Sequence, residues 1–565
     1  MSPKPSITVW DGHETIGGTK VLLESGDQRL FLDFGTNYKT TGRYYEEVLK
    51  PRSARGIVDY LGTKPPLLPP VPGIYRRDLL ARADCDAIGK LTASADPNTS
   101  VLLTHAHLDH AGAIAFLDPR IPVYCTPTTL AILRAWQETQ GNAGGQAPNE
   151  VVYLGKREPN EHNDWLVRSA KGADLGRKRH RIFRLLGEAH HLPAFTSRPP
   201  GPRAWAAGDS APVAEAVRLP IAGGGGNRGW MDVDHSLFGA VGFILDADGH
   251  RIAYSGDLRE AGSNEPQTQA FLTELERKHP SLLLMEGTRL REKDGEQQAQ
   301  STEQEVHDNA LKLIEGPSYR EKLVVADFGP RNVERLLTFL DIARRTNRRL
   351  AVSTKDAYLL CAMASADPER MKPVRFGRGE GQVSILEDPQ TRGSLWRDHL
   401  DEHEQARNAM VHTSEVSERN RKEWLLCMSF FDANDLIDLD RNATKDGLWL
   451  YSSSEAHSEE QEFDFVRLQA WIDLMGMRTV GFRLVARAGG RPGELEPFFD
   501  DPKDRGYHSS GHATEDQLVA MVRRIEPAVL VPLHTTNGRR YERLLKDAGL
   551  KTRVESVTVG KPIEW

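Results

Sequence analysis

The sequence has few cysteines and no long apolar run. Its 565 residues include only 4 cysteines, at positions 85, 125, 361 and 427, too few and too scattered for a disulfide framework or a Cys-x-x-Cys metal site. Apolar stretches such as residues 528–533 fall far short of the roughly 20 residues that cross a bilayer. The first residues, Met-Ser-Pro-Lys-Pro, lack the apolar core of a secretory signal. We therefore expect a cytoplasmic protein that does not enter a membrane.

The sequence also lacks a strong excess of one charge. The formal net charge is −7, from 80 acidic and 73 basic residues, so a uniformly basic surface of the kind that coats nucleic acid is excluded. Two local basic runs, residues 177–181 and 344–349, are candidate phosphate contacts, although most such runs lie on solvated faces. The content of 39% hydrophobic residues is typical of a folded globular protein, and the length allows two to four domains.

The hydrophobic pattern changes along the chain. Alternation between residues 7 and 33 predicts an antiparallel meander, and helices alternating with strands from residue 298 predict a βαβ series with a parallel sheet. Residues 301–305 form a capping box that predicts a helix ending near Gly316. Two irregular stretches, residues 37–96 and 140–230, are interpreted as insertions in a regular core.

Residues 104–112, with the sequence THAHLDHAG, carry four metal-ligand side chains directly after an apolar strand. In a core, His105, His107 and His110 would each need a hydrogen-bond partner, as would Asp109. Imidazole and carboxylate together suit Zn²⁺ or a similar divalent ion. Their alternation predicts that His105 and His107 face one metal while Asp109 and His110 reach a second.

Three further ligand candidates lie at abrupt strand ends. His235 follows the glycine-rich residues 223–226, Asp257 follows a strand that ends at Tyr254, and His534 closes the strand 529–533. Taken singly, each also fits an ordinary turn or cap. Because a carboxylate between two cations can bridge them, we assign that role to Asp257.

In this order along the chain, the residues resemble the metallo-β-lactamase superfamily, an αββα sandwich with a two-metal site. Glu286 in LMEGT, His512 in HSSGHA and His534 resemble motifs A, B and C of its β-CASP nucleases, in which a βαβ domain precedes the final strands. The segment 508–513 is similar to that of the bacterial ribonuclease J group. The resemblance covers about residues 7–36, 98–136, 231–362 and 447–540.

This resemblance implies an α/β fold in which three consecutive segments of the chain form two domains. Residues 1–297 would form the first part of a metallo-β-lactamase domain, residues 298–475 an inserted parallel-sheet β-CASP domain, and residues 476–565 the returning part of the first domain. The implied cofactor is a pair of divalent metal ions, foremost zinc, with Mn²⁺ or Mg²⁺ as alternatives. Such a pair, roughly 3.5–4 Å apart, lowers the pKa of a shared water to near 7 and suits phosphodiester hydrolysis.

The resemblance also implies roles for individual residues. Asp109 would serve both the metals and catalysis, and His512 would give a proton to the leaving oxygen while Glu286 orients it. Asp33 resembles the first motif of the superfamily, whose aspartate supports the ligand histidines through hydrogen bonds.

Substrate contacts are predicted at three places. The polar turn formed by His508, Ser509, Ser510 and Gly511 is a candidate for binding a phosphate. Arg331 follows a predicted parallel strand, whose carboxyl end commonly faces ligands. Ser453 lies in a run of serines at another strand end.

The leading interpretation is a zinc-dependent ribonuclease with 5′-to-3′ exonuclease activity and a further endonuclease mode. Its expected partner is single-stranded RNA carrying a 5′ monophosphate. A DNA-processing enzyme is the first alternative, disfavoured because the DNA-acting branch typically has valine where this chain has His534. A two-metal thioesterase or lactonase would share the metal loop but would not need Glu286, His512 or the inserted unit. An inactive scaffold is disfavoured because every expected ligand type is present. No sequence feature supports an oligomer.

Overall fold

The structure is a computed structural model, and it describes most of the chain in ranges separated by gaps. These ranges are 5–46, 48–80, 91, 96–140, 147–155, 157–160, 163–169, 178–188, 192, 195, 213–215, 218–221, 228–291, 301–329, 331–388, 394–453, 465–487, 493–499, 501–563 and 565.

The N-terminal sheet begins with the predicted meander. In spatial order its described strands are Ser6–Asp11, Lys20–Ser25, Gln28–Leu32, Thr99–Leu102, Val123–Cys125, Phe183–Leu185 and Val213–Glu215. The first three are antiparallel, and Thr99–Leu102 then joins Gln28–Leu32 in parallel. This pairing brings the strand that precedes the histidine-rich segment into the middle of the sheet.

A second sheet packs face to face against the first. In spatial order its described strands are Trp230–Asp232, Val241–Ala247, His250–Tyr254, Leu282–Glu286, Val529–Leu533 and Arg553–Val554. Val21 and Leu102 from the first sheet share one buried core with Phe243 and Leu284 from the second. This core results from the alternation of apolar residues along the strands.

Helices cover both outer faces of this sandwich. Helix Pro127–Thr139 packs on the N-terminal sheet, where Leu130 joins the core that contains Phe31. Helices Glu265–Lys278 and Glu515–Ile525 pack on the second sheet. The molecule therefore has the αββα layers that the sequence predicts.

The third sheet is entirely parallel. In spatial order its described strands are Met410–Val411, Val383–Leu386, Arg349–Ser353, Trp424–Met428, Val324–Asp327, Leu448–Tyr451 and Arg478–Val480. They lie in the chain between Leu282–Glu286 and Val529–Leu533, which pair with each other in the second sheet. The predicted α/β fold class, a sandwich with an inserted parallel sheet, is confirmed, and the exact domain boundaries stay a prediction.

Shorter elements complete the described part of the chain. The remaining α-helices are Tyr38–Gly42, Val58–Leu61, Leu108–Ala111, Glu303–Glu315, Val333–Arg345, Thr354–Ala366, Pro368–Met371, Leu395–Glu402, Glu404–Asn408, Arg441–Thr444, Phe465–Leu474 and Arg539–Asp547. The 3-10 helices are Ser53–Arg55, Arg77–Leu79, Gly112–Phe116, Ala147–Asn149, Thr413–Glu415, Arg421–Glu423 and Phe430–Asp438. Three two-stranded sheets pair Tyr153–Gly155 with Lys178–His180, Arg157–Asn160 with Asn163–Ser169, and Arg483–Ala486 with Leu495–Phe498.

The stretch 140–230 is more regular than the sequence predicts. Strand Phe183–Leu185 pairs in parallel with Val123–Cys125 and so extends the N-terminal sheet. Its three residues are too short to show a period, which is why the pattern alone indicates an insertion.

None of the helices in the described ranges has the length and apolar character needed to span a membrane.

Candidate metal centre

The predicted ligands converge at one end of the sandwich, where strands from both sheets stop. His105 and His107 follow strand Thr99–Leu102, and His107 caps the short helix Leu108–Ala111. His534 follows Val529–Leu533 with a φ of 50°, a left-handed conformation that turns the chain sharply at the strand end.

Three histidine nitrogens form the first group. Nδ1 of His107 lies 3.0 Å from Nε2 of His105 and 3.1 Å from Nε2 of His235. The ligand atoms of these three residues all lie within 4.8 Å of one another. His235 comes from the loop between two strands of the second sheet, so the group joins both sheets.

The second group shares no residue with the first. It consists of Asp109, His110 and His534, whose ligand atoms also lie within 4.8 Å of one another. Nε2 of His534 lies 2.9 Å from Oδ2 of Asp109, and Nε2 of His110 lies 3.8 Å from the same oxygen. A further group combines His105, His110 and Asp257, so the assignment of the loop residues to two separate metals stays a prediction.

Asp257 lies between the two groups. Its Oδ2 is 3.7 Å from Nε2 of His105 in the first group. The same atom is 3.1 Å from Nε2 of His110 and 3.7 Å from Nε2 of His534 in the second. A single carboxylate oxygen is thus within reach of both groups, as a bridging ligand requires.

Hydrogen bonds on the far side of the rings orient the histidines. Nδ1 of His110 donates to Oδ2 of Asp33 at 2.7 Å, and Nδ1 of His235 donates to the carbonyl oxygen of Gly511 at 2.5 Å. Each bond leaves Nε2 with its lone pair directed into the centre. Asp33 is itself fixed, because it also accepts hydrogen bonds from Thr104 and Tyr254.

Burial and neighbouring charges shift the pKa values of these groups. Burial lowers the pKa of His105 and His235 well below the ordinary value, and adjacent imidazoles lower it further. Burial also acts to lower the pKa of His534, but Asp257 and Asp109 outweigh it and raise the pKa to about 9. His105 and His235 are therefore neutral, the form of imidazole that binds metal, while a proton and a cation compete for His534.

Two buried polar atoms that lack well-aligned hydrogen-bond partners indicate whether a metal ion fits among these residues. Nε2 of His110 and Oδ1 of Asp257 are buried and have no well-aligned hydrogen-bond partner within the described ranges, although Nε2 of His110 lies 3.1 Å from Oδ2 of Asp257. Such atoms are costly in a folded protein unless another partner is present. Both belong to the predicted ligands, and the set of imidazoles and carboxylates matches the preferences of Zn²⁺ and similar ions. The residues therefore fit a pair of divalent cations.

Glu286 and His512 meet beside this centre, although 226 residues separate them. Oε2 of Glu286 accepts a hydrogen bond from Nδ1 of His512 at 2.9 Å. Glu286 ends strand Leu282–Glu286, and its Oε1 accepts the backbone N–H of Leu258 at 2.8 Å. Nδ1 of His512 lies 4.0 Å from Oδ2 of Asp257, so the pair borders the ligand groups.

The predicted substrate residues differ in whether their side chains remain able to contact a phosphate. Both ring nitrogens of His508 face backbone carbonyls, those of Ser453 and Gly481, at 3.0 and 2.5 Å. The predicted phosphate contact of His508 is therefore not supported, because its nitrogens hold the turn in place. Ser509 and Ser510 are buried.

The other basic candidates also have structural partners. Arg348 is buried and donates to the carbonyls of Lys322 and Trp424. Arg181 is buried and donates to the carbonyl of Val151. These two arginines cannot contact phosphate, so the prediction is wrong for them. Residue 177 lies outside the described residues. Arg331 is half-buried directly before the cap of helix Val333–Arg345.

The turn at Gly17 and Gly18 contacts a predicted metal ligand. The backbone N–H of Gly18 donates to the carbonyl of Asp109 at 2.9 Å. A Cβ at Gly17 would lie 2.6 Å from Cβ of Asp109, and the φ of +77° is also one that L side chains rarely adopt. The two adjacent glycines in the sequence indicate such a contact, because a close approach of two backbone segments favours glycine.

A buried ion-pair network, also unpredicted, joins the centre to the parallel-sheet unit. Nε of Arg259 lies 3.2 Å from Asp234, the residue before a predicted ligand, and Nη1 lies 3.3 Å from Glu303. The same guanidinium donates to Glu334 and to the carbonyl of Ser510. The network thus ties the turn before His512 to helices of the parallel-sheet unit.

Comparisons with known proteins agree with this fold and site. Residues 67–169, which include the histidine-rich loop, match the family model described as a beta-lactamase superfamily domain. The chain therefore contains a beta-lactamase superfamily hydrolase domain with candidate His/Asp metal groups.

Among solved structures, the chain is similar to a crystal structure of a protein of unknown function from Enterococcus faecalis V583. The match has a TM-score of 0.60 and 19% identity, and covers 100% of each chain. At this identity the likeness shows the fold alone. No curated protein matches the chain.

Proposed function

We propose that the protein is a metal-dependent ribonuclease of the β-CASP type, similar to the ribonuclease J group. It would hydrolyse phosphodiester bonds of single-stranded RNA from the 5′ end, with endonuclease activity as a further mode. The observation that carries this proposal is the hydrogen bond between Glu286 and His512 directly beside the predicted metal ligands. A carboxylate–imidazole pair at this place supports a proton donor that works next to a metal-activated nucleophile.

Two divalent ions, foremost zinc, would supply a hydroxide at neutral pH and neutralise charge on the phosphoryl oxygen. His105, His107 and His235 would hold one ion, and the second group would hold the other. Asp257 would contact both, because its Oδ2 reaches both groups. Asp109 would orient the nucleophile as well as bind metal.

His512 would protonate the leaving 3′ oxygen. Its Nδ1 is engaged by Glu286, so Nε2 is the nitrogen from which a proton can be given. The carboxylate fixes the orientation of the ring, so Nε2 points away from Glu286. An alkoxide is a poor leaving group, and RNA hydrolysis therefore benefits from such a donor more than thioester hydrolysis does. The proton donor therefore favours a nuclease over a thioesterase.

The turn at 509–511 is the proposed place for a substrate phosphate, with Ser453 and Arg331 as further contacts. Oγ of Ser509 is buried and has no hydrogen-bond partner among the described residues. A phosphate oxygen would satisfy this hydroxyl. Because Gly511 also accepts the hydrogen bond of His235, a phosphate held here would lie next to the metal ligands.

The proposal is tested with purified protein, 5′-labelled RNA and DNA of the same sequence. We expect RNA to be shortened from its 5′ end, a chelator to abolish the reaction, and Asp109→Ala to lose it under the same conditions. Cleavage of DNA at the rate of RNA would favour the DNA-processing alternative. Hydrolysis of thioesters or lactones with no action on either nucleic acid would contradict the nuclease proposal.

A second test addresses the 5′ end. If the turn binds a terminal phosphate, RNA with a 5′ monophosphate should be degraded faster than RNA with a 5′ triphosphate. Ser510→Asp should abolish that preference by charge repulsion, while Ser510→Asn, of similar size but uncharged, should keep more of it. Equal rates for both RNA ends with the wild type would refute the terminal phosphate pocket.

A further inference from the structure

Thr288 connects a predicted metal ligand to the predicted proton donor. Its Oγ1 lies 2.8 Å from Nδ1 of His534 and 2.7 Å from Oε2 of Glu286. The same carboxylate oxygen lies 2.9 Å from Nδ1 of His512. One hydroxyl therefore completes a continuous set of hydrogen bonds between His534 and His512.

The direction of these hydrogen bonds follows from charge. A hydroxyl has one proton to donate, and it can go to the carboxylate of Glu286, to the ring of His534 or, at 3.3 Å, to the carbonyl of His534. A carboxylate is the strongest acceptor of the three. Since Thr288 then donates to Glu286, its lone pair faces His534, and Nδ1 of that ring must carry the proton.

This direction decides which nitrogen of His534 can bind a metal. With the proton on Nδ1 fixed by Thr288, the nitrogen open to a cation is Nε2, the atom that lies 2.9 Å from Asp109 and 3.7 Å from Asp257. Without a cation, Nε2 donates its proton to Asp109, and a bound cation takes the place of that proton. His110 and His235 have Nδ1 partners of the same kind, Asp33 and the carbonyl of Gly511. Thr288 is the corresponding Nδ1 partner of His534, but the direction in which its hydroxyl donates depends on Glu286.

We propose that Thr288 is a positioning residue that holds His534 in the tautomer able to bind metal, with its hydroxyl directed by Glu286. This inference builds on the metal centre of the proposed function and assigns Glu286 a second task besides orienting His512. Hydrogen-bond partners of metal-bound histidines typically contribute about 10–100-fold to metal affinity. The loss of this hydroxyl should therefore appear in metal binding even where no RNA is present.

The test compares metal affinity among matched variants by competition with a chromophoric chelator, using Zn²⁺ alone. Thr288→Val keeps the shape of the side chain and removes the hydroxyl, so we expect one of two ions to bind about 10–100-fold more weakly. Thr288→Ser retains the hydroxyl and should bind both ions nearly as the wild type does. Thr139→Val is the control, because its hydroxyl donates only to carbonyls of its own helix.

A second variant and a rate measurement distinguish the loss of the hydroxyl from a folding defect. Thr288→Ala removes the hydroxyl without adding bulk and should show the same weakened ion. Excess Zn²⁺ should restore RNA cleavage by both variants, whereas it should not restore His512→Ala. Wild-type affinity for both ions in Thr288→Val and Thr288→Ala would overturn the inference. Failure of the nuclease proposal alone would leave the affinity difference intact, since that measurement contains no RNA.

Discussion

Replacing His512 by alanine separates proton donation from metal binding. Nδ1 of His512 lies 2.9 Å from Glu286, and that carboxylate is fixed in turn by the N–H of Leu258 at 2.8 Å. The imidazole is thus held for transfer from Nε2. General acid catalysis typically contributes about 10²–10⁴-fold, so we expect RNA cleavage to slow by that factor. At about 1.36 kcal/mol for each tenfold, the activation free energy rises by roughly 2.7–5.4 kcal/mol.

The assay measures steady-state cleavage of 5′-labelled RNA together with metal content by atomic emission. Both are needed, because His512 also forms a group of metal-ligand spacing with His235 and Asp257. We expect full metal content and a slower rate. RNA with sulfur in place of the leaving 3′ oxygen does not need a proton on departure. It should restore much of the rate of His512→Ala and little of that of His534→Ala.

Loss of an ion from His512→Ala at saturating metal, with no rate restored by the sulfur-containing RNA, would contradict a proton-donor role for His512. His512 would then be a ligand and not a proton donor. His250→Ala provides the control, because that imidazole lies against the ring of Trp565, 5.0 Å between centroids, and outside the candidate metal groups. It should keep both the metal content and the rate.

Three further predictions concern the same region. Metal analysis of the wild type should give two ions per chain and Asp109→Ala one, and a wild-type value of one would contradict the two-group assignment. Gly17→Ala should weaken metal binding and activity, because its Cβ would lie 2.6 Å from the side chain of Asp109, whereas Gly26→Ala, at a φ of +59° with nothing within 4 Å, should change only local stability. Arg259→Met should lower the free energy of unfolding by about 3–5 kcal/mol in urea titrations, because the buried carboxylates of Asp234 and Glu334 lose their cation while Glu303 keeps Arg335. That loss should be smaller at pH 5 than at pH 8, since the unpaired carboxylates take up protons as the pH falls; an unchanged urea midpoint at pH 8 would contradict it.

Much of the local structure could be predicted because it depends on neighbouring residues. The capping box of Thr302 and Glu305 begins helix Glu303–Glu315 as the sequence indicates, and each partner lies within one turn of the other. Strand Val529–Leu533 has the predicted bounds, since five consecutive buried residues form it. In contrast, strand Phe183–Leu185 was missed because three residues carry no measurable period.

The sequence by itself determined that a strand is followed by four clustered ligand side chains, and hence that a metal centre belongs there. It could not determine the partners of those side chains by spacing, because Asp109 and His534 are 425 residues apart and meet only when the two sheets pack. The contact of Gly17 with Asp109, the hydrogen bonds of Thr288 and the network around Arg259 have the same origin. Each is a contact between distant segments that local propensity does not encode, so only the tertiary structure decided it.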